Sequence, residues 1–289
     1  MFADDIVLLS ESATGLQNCL NALEAYCEKW NLTVNTAKTK VVIFNKGGHI
    51  LKRFKFCYRN ELLEITQKYC YLGIVFSSCG TFVSACKAIV EKSLKAFYKL
   101  KQLDTRNNVT LTLKLFDSLV APVAMYGCEV WGPLILKKLN TSNFMNICET
   151  AHIEKLNIKL CKYLLGVGRK TTNAAVRGEL GRYPLLLNVL VHSFKYWTRT
   201  CTLQIESLVR KSYLENLITD FNDIGSWSSC IYTLLSVFKQ EKIWEYQGMM
   251  SGSTYSQAFK KDLETKYSAE WLTYIKRDNV PNKLLNYKI

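Results

Sequence analysis

Asp4 and Asp5 stand side by side, preceded by Phe2 and Ala3 and followed by the apolar run Ile6-Val7-Leu8-Leu9. Neighbouring carboxylates repel one another unless positive charge lies beside them. A divalent cation supplies that charge, and hard cations such as Mg²⁺ take oxygen ligands together with substrate phosphates. An Asp-Asp pair at a turn that leads into an apolar strand therefore has the chemistry of a two-metal phosphoryl-transfer site. The same residues also fit a solvated turn, so the surrounding elements must decide.

Those elements begin with Ile6–Leu9, which reads as a short buried strand. Ser10 and Ser12 are N-cap candidates for a helix running to about Trp30, with Leu16, Cys19, Leu20, Leu23, Cys27 and Trp30 on one stripe. Lys40–Phe44 predicts a β-branched strand that Gly47-Gly48 breaks. Phe54–Tyr58 and Glu61–Ile65 predict a hairpin across Arg59-Asn60, and Tyr69–Phe76 a further strand with Gly73 inside it. From Phe82 the pattern turns helical. Phe82–Leu103 carries Lys92, Lys95 and Lys99 at helical spacing, and Leu111–Tyr126 is interrupted at Pro122. Phe144–Leu165 sets Ile153, Leu156, Leu160 and Leu164 opposite Lys155, Lys159 and Lys162. Leu185–Thr200 and Leu203–Ile218 follow as helices, with Arg169, Lys170, Arg177 and Arg182 adding positive charge before them. Gly248–Ser256 reads as a linker, and the chain ends in an amphipathic stretch holding Trp271 and Tyr274.

Composition narrows the function classes. The 289 residues are 48% hydrophobic, enough for a sizeable core. Lys and Arg number 38 against 24 acidic residues, a net charge of +14 spread along the chain. That excess predicts a polyanionic partner, nucleic acid first. The eleven cysteines form no C-x-x-C pair, and no basic-then-apolar leader is visible, so reduced thiols in an intracellular compartment, nucleus or cytoplasm, are expected. Cys148 and His152 sit four apart with Cys161 downstream, but no second close pair completes a tetrahedral zinc set. Apolar runs such as Leu185–Leu187 fall far short of the roughly 18 residues of a membrane span, so no membrane partner is expected.

Phe2-Ala3-Asp4-Asp5 with Ile6-Val7-Leu8-Leu9 resembles the F/Y-A-D-D hairpin of reverse transcriptases from non-LTR retrotransposons. Asn35-Thr36-Ala37-Lys38-Thr39-Lys40 resembles the family's N-x-x-K-T-K segment, and Tyr71-Leu72-Gly73 its Y-L-G strand. Tyr126-Gly127-Cys128-Glu129-Val130-Trp131 resembles the Y-G-x-E-x-W segment of the following region. Glu179-Leu180-Gly181-Arg182-Tyr183-Pro184-Leu185 is similar to a segment often seen further downstream. The likeness is ordered from Phe2 to Leu185 and loose past Thr200.

The resemblance implies an α+β fold. A truncated reverse-transcriptase palm of short strands and a helix would occupy residues 1–78, a mainly α-helical thumb or connection-like region residues 79–200, and a C-terminal helical region residues 201–289. It implies RNA-directed DNA polymerisation in the parent enzyme, with Asp4 and Asp5 as catalytic Mg²⁺ ligands. Phe2 would pack near the primer terminus at the nucleotide site, and Lys38 or Lys40 would lie near the incoming triphosphate. Tyr71, Leu72 and Gly73 would hold the primer strand. Lys92, Lys95, Lys99, Lys155, Lys159 and Lys162 would meet the phosphates of an RNA template and DNA primer. The upstream palm strand with the third carboxylate and the fingers are absent from the sequence. The chain alone is therefore expected not to polymerise, and a non-catalytic nucleic-acid-binding or structural remnant of a retroelement is the alternative.

Overall fold

The computed structural model describes residues 4–51, 53–103, 105–138, 143–220, 226–247 and 252–276. They form a mixed α/β protein, mostly helical with a few short strands, in two compact units, Met1–Ala85 and Cys86–Ile289. Phe2 lies outside the described residues, as do Asp104, Asp223 and the chain beyond Lys276.

In the first unit, helix α1 (Ala13–Lys29) is capped by Ser12, whose Oγ accepts the Gly15 N–H at 3.0 Å. Its inner face buries Leu20 and Cys27. Strand β1 (Lys40–Val41) is followed by β2 (Cys57–Tyr58), β3 (Glu61–Leu62), β4 (Glu64–Ile65), β5 (Lys68–Tyr71) and β6 (Ile74–Ser77). Each pairs with one partner: β1 parallel to β4, β2 antiparallel to β3, and β5 antiparallel to β6. Leu20, Val41, Phe56, Tyr58 and Leu63 make the core, with Leu8, Leu16, Leu23 and Ile43 packed around it. Gln17 ties α1 to β2: its side-chain amide donates to the Cys57 carbonyl at 2.8 Å and accepts the Cys57 N–H at 3.0 Å. The side chain thereby occupies backbone groups that the edge of β2 would otherwise leave open.

Several sequence expectations are corrected here. Ile6–Leu9 forms no strand, and Ile6, Val7 and Leu9 are exposed, Leu9 by 80%. No ladder among the described residues takes this segment, and an extended segment without cross-strand bonds gains little. Trp30, expected on the buried stripe, is 59% exposed, because α1 ends one residue before it. The strand at Lys40–Phe44 is paired only over Lys40–Val41. Tyr69–Phe76 is not one strand with a bulge. It is a hairpin, β5 and β6, turned at Leu72 (φ 47°) and Gly73 (φ 82°). Two consecutive positive φ angles are the type I′ geometry that matches strand twist. The hairpin across Arg59 (φ 47°) and Asn60 (φ 64°) forms as expected, with shorter strands.

The second unit is helical. Helix α2 (Val83–Lys101) leads into it, followed by α3 (Val109–Leu115). A π turn, Phe116–Val120, then joins α3 to α4 (Ala121–Ala124), with the Ala121 N–H reaching back to the Phe116 carbonyl. Pro122 has no N–H to give and its ring crowds the carbonyl four residues back, so the wider turn relieves the helix just before it. Next come α5 (Cys128–Trp131), α6 (Phe144–Thr150), α7 (Glu154–Leu164), α8 (Asn173–Leu180), α9 (Leu185–Thr202), α10 (Leu208–Asp220), α11 (Trp227–Val237), α12 (Glu241–Glu245) and α13 (Gly252–Lys276).

Helix α9 is amphipathic, with His192, Lys195 and Arg199 on an exposed stripe and the rest of its surface largely buried. Leu186, Val189, Leu190, Phe194 and Trp197 are buried, and Phe194 stacks on Phe259 of α13 with centroids 4.5 Å apart. The expected single helix Phe144–Leu165 is broken at Ala151, whose ψ of 139° is extended. The expected helix start at Leu203 falls at Leu208, and Gly252–Ser256 opens α13 rather than a linker. Among the described residues no single helix is long and apolar enough to cross a membrane. The bent pair Val109–Ala124 and Cys128–Leu136 reaches that composition only jointly and buries Phe116, Val120, Ala124 and Trp131.

Candidate nucleotidyl-transfer site

Asp4 and Asp5 are both exposed, at the start of the described chain. Among the described residues they gain no third His, Cys, Asp or Glu in a cluster that could hold a metal ion. Two carboxylates alone are an incomplete ligand set for a cation that favours six oxygens.

The structure distinguishes the two lysines that the sequence left equivalent. Asn35 builds a turn, its Oδ1 accepting the Lys38 N–H at 3.0 Å and its carbonyl the Thr39 hydroxyl at 2.9 Å. Asn side chains favour such turns because they imitate a backbone acceptor. Lys38 stands exposed in that turn, with no carboxylate partner among the described residues. Lys40, two residues on, is directly opposite Glu64 in the β1–β4 ladder, and their charges meet at 2.7 Å.

The Tyr71-Leu72-Gly73 segment is the tip of the β5–β6 hairpin. Tyr71 is half-buried and Leu72 exposed. The base of this hairpin is tied to the lysine turn by Tyr69, whose hydroxyl donates to the Lys38 carbonyl at 3.1 Å. Three successive segments are thus joined. The Thr66 N–H donates to the Val41 carbonyl at 2.9 Å, and the Asn45 N–H to the Ser78 carbonyl at 2.9 Å.

In the second unit, Lys92, Lys95, Lys99 and Lys155 are exposed. Lys159 and Lys162 are half-buried, each with a neighbouring partner. Lys159 Nζ donates to the Tyr98 hydroxyl, and Lys162 Nζ to the Arg169 carbonyl at 2.7 Å. Arg177 and Arg182, read as added positive charge, are each matched by carboxylates. Arg177 is 1% exposed and lies 2.9 Å from Glu149 and 2.8 Å from the fully buried Glu154. Arg182 pairs with Asp117 of the π turn and donates to Asn157 at 2.7 Å.

Sequence reasoning missed this ionic core. Glu154 also accepts the Leu186 N–H at 2.7 Å, placing an anion at the start of α9. A continuous helix would put Glu149 and Glu154 about 140° apart. The break at Ala151 brings both onto one guanidinium. The available signal was Arg177 and Arg182 flanking Glu179, with Asn157 three residues after Glu154.

The first unit thus holds three pairs of short strands and one helix, with an Asp-Asp pair at its start. Residues 1–76 match the family model described as Reverse transcriptase (RNA-dependent DNA polymerase). About half of the chain is similar to proteins named as RNA-directed DNA polymerases of transposons and mobile elements. It is 31% identical over 141 residues to a Drosophila melanogaster protein named as a probable RNA-directed DNA polymerase from transposon BS, covering 45% of this chain and 16% of that one. It is 28% identical over 148 residues to the RNA-directed DNA polymerase from mobile element jockey of Drosophila funebris, covering 48% and 16%. The corresponding jockey protein of Drosophila melanogaster is 29% identical over 149 residues, again covering 48% and 16%. The matched segment thus spans about one sixth of these curated relatives. No solved structure matches the chain significantly.

Proposed function

We propose that this chain is a portion of an RNA-directed DNA polymerase of a non-LTR retrotransposon. Residues 1–78 belong to the palm, 79–200 to a helical thumb and 201–289 to a C-terminal helical region. In the whole polymerase Asp4 and Asp5 contribute oxygens to the divalent metal site, Mg²⁺ being the expected ion, and the rest of the palm and the fingers complete it. Phe2 packs near the primer terminus. Lys38 is the lysine of the nucleotide site, because Lys40 already has Glu64 as its partner. A free cation near a leaving pyrophosphate stabilises the charge that develops there. The hairpin tip at Tyr71, Leu72 and Gly73 holds the primer. The expected compartment is intracellular.

The observation that carries this reading is the joining of the Asn35–Lys40 turn to the β5–β6 hairpin inside the segment that matches the reverse transcriptase model. The test is RNA-templated primer extension with Mg²⁺. The chain alone is expected to give no product, whereas a polymerase carrying it should extend the primer and lose extension with Asp4→Asn. Extension that survives Asp4→Asn would overturn the assignment.

A further inference from the structure

Arg177 is 1% exposed, yet two of its three guanidinium nitrogens have no hydrogen-bond partner among the described residues. Nη2 donates to Glu154 Oε2 at 2.8 Å. Nε lies 2.9 Å from Glu149 Oε1, but too far off the N–H direction for a hydrogen bond. That oxygen accepts the Tyr267 hydroxyl of α13 at 2.9 Å. Nη1 is buried and unpaired, and so is Glu149 Oε2. Charged donors and a charged acceptor are thus left over in one small region, where side chains of α6, α7, α8 and α13 meet.

The neighbouring polar atoms are used. Glu154 Oε1 accepts the Leu186 N–H, and its Oε2 accepts from Asn157 as well as from Arg177. Asn157 accepts from Arg182 and donates to the Tyr183 carbonyl. Buried polar groups are rarely left unpaired, because each has given up its hydration on burial. Charge decides what could pair with the leftover atoms. An anion at Nη1 would join two carboxylates already within 2.9 Å of the guanidinium. A cation at Glu149 Oε2 would face that guanidinium, and no group of three acidic, His or Cys residues among the described ones could hold a metal ion. Cys148 and Cys161 are fully buried and within reach of these charges, but burial pushes both thiols up. They stay protonated, and a thiol is a poor metal ligand. A small neutral molecule that both accepts and donates suits the leftover set, and water is that molecule.

We infer that this junction is a binding site for an internal water molecule, which accepts from the Arg177 guanidinium and donates to Glu149 Oε2. Glu149 then serves two elements, one through each oxygen: Tyr267 of α13 at Oε1, and Arg177 of α8 through the water at Oε2. The water completes the ionic core that the break at Ala151 assembles. The site uses neither Asp4 nor Asp5 and does not rest on the polymerase reading.

Two measurements on the full chain test this. A crystal structure of the unaltered protein should show a water peak about 2.7–3.2 Å from Arg177 Nη1 or Nε, at hydrogen-bond distance from Glu149 Oε2. Oxygen-17 relaxation dispersion counts water molecules held inside the protein for longer than it takes to tumble. Arg177→Lys keeps the positive charge but removes Nη1, and Glu149→Met removes the acceptor, so each should lower that count by one. Lys260→Ser, in the exposed ion pair with Glu264, should leave the count unchanged. The inference is overturned if Nη1 and Nε bond protein oxygens directly with no water peak beside them. An anomalous peak at the site after a bromide soak would also overturn it, since the ligand is then an anion, as would an unchanged count in both folded variants. The crystal measurement needs no substitution, so it decides the matter even where a variant fails to fold.

Discussion

The Tyr69 hydroxyl donates to the backbone carbonyl of Lys38 at 3.1 Å, across 31 residues of chain. Tyr69 is the second residue of β5, and Lys38 closes the turn set by Asn35. The bond binds a backbone atom, so it fixes the turn while leaving the Lys38 ammonium unencumbered. Tyr69→Phe should therefore keep the ring packing and lose about 0.5–1.5 kcal/mol of stability. Urea titration of the two proteins checks this, and an unchanged midpoint would mean that the bond exchanges evenly with water.

Leu72 holds a left-handed backbone at φ 47°. That conformation costs a branched L-residue about 1–2 kcal/mol, and Asn or Gly far less. Leu72→Asn should raise the thermal midpoint while weakening retention of a primer-template duplex by the polymerase. Strain kept at the proposed primer contact has this signature. A lowered midpoint would show that the exposed leucyl side chain is worth more than the turn geometry costs.

Removal of the Arg177 guanidinium leaves the Glu154 carboxylate buried with only Asn157 and the Leu186 amide. Arg177→Met should cost about 3–5 kcal/mol, the usual penalty for orphaning one member of a buried pair. Adding Glu154→Gln removes the orphaned charge and should recover part of the loss. The double-mutant comparison by chemical denaturation reads the coupling directly.

Cys79 is exposed, and its sulfur lies 3.2 Å from the Ser77 hydroxyl and 3.2 Å from that of Thr81. Those hydrogen bonds, Ser77 first, lower the thiol to about 7. Burial pushes Cys86 up to about 11 and Cys128 up to about 12. A thiol lowered in the folded state stabilises it where the thiolate exists. That contribution is present above the unfolded value and is lost as the pH falls through about 7. Limited iodoacetamide labelling at neutral pH should modify Cys79 before Cys86 or Cys128, with a rate that drops below pH 7. Peptide mass mapping that finds Cys128 labelled as fast would refute the ordering.

Much of the first unit was legible because its turns announce themselves. Ser12 caps α1 where an N-cap was expected, and Arg59-Asn60 makes a hairpin because Asn tolerates a positive φ. Tyr69–Phe76 misled because Leu rarely occupies a left-handed position, so the apolar run reads straight through Leu72-Gly73. The lysine spacing was correct as a helical pattern. The N-x-x-K-T-K likeness could not show that Lys40 faces Glu64, since that depends on a parallel register 24 residues away. The same limit hid Arg177. A charged residue looks like surface until its partners, Glu149 and Glu154, are brought to it by a helix break that one ordinary alanine makes.

The π turn at Phe116–Val120 has an arithmetic of its own. It holds one residue more than the α-helical path through the same rod, so everything after it is offset by about 100°. Phe116 and Val120, four apart, face inward as they would on an ordinary α-helix, and Asp117 faces outward to Arg182; the extra residue sets the register of Ala121 and Ala124, which are also buried. Loss of a single residue here would leave an uninterrupted α-helix of ordinary appearance, with Ala121, Ala124 and Cys128 swung off the core. The segment thus tolerates substitution far better than deletion, and its length, more than its composition, sets which residues the second unit can bury.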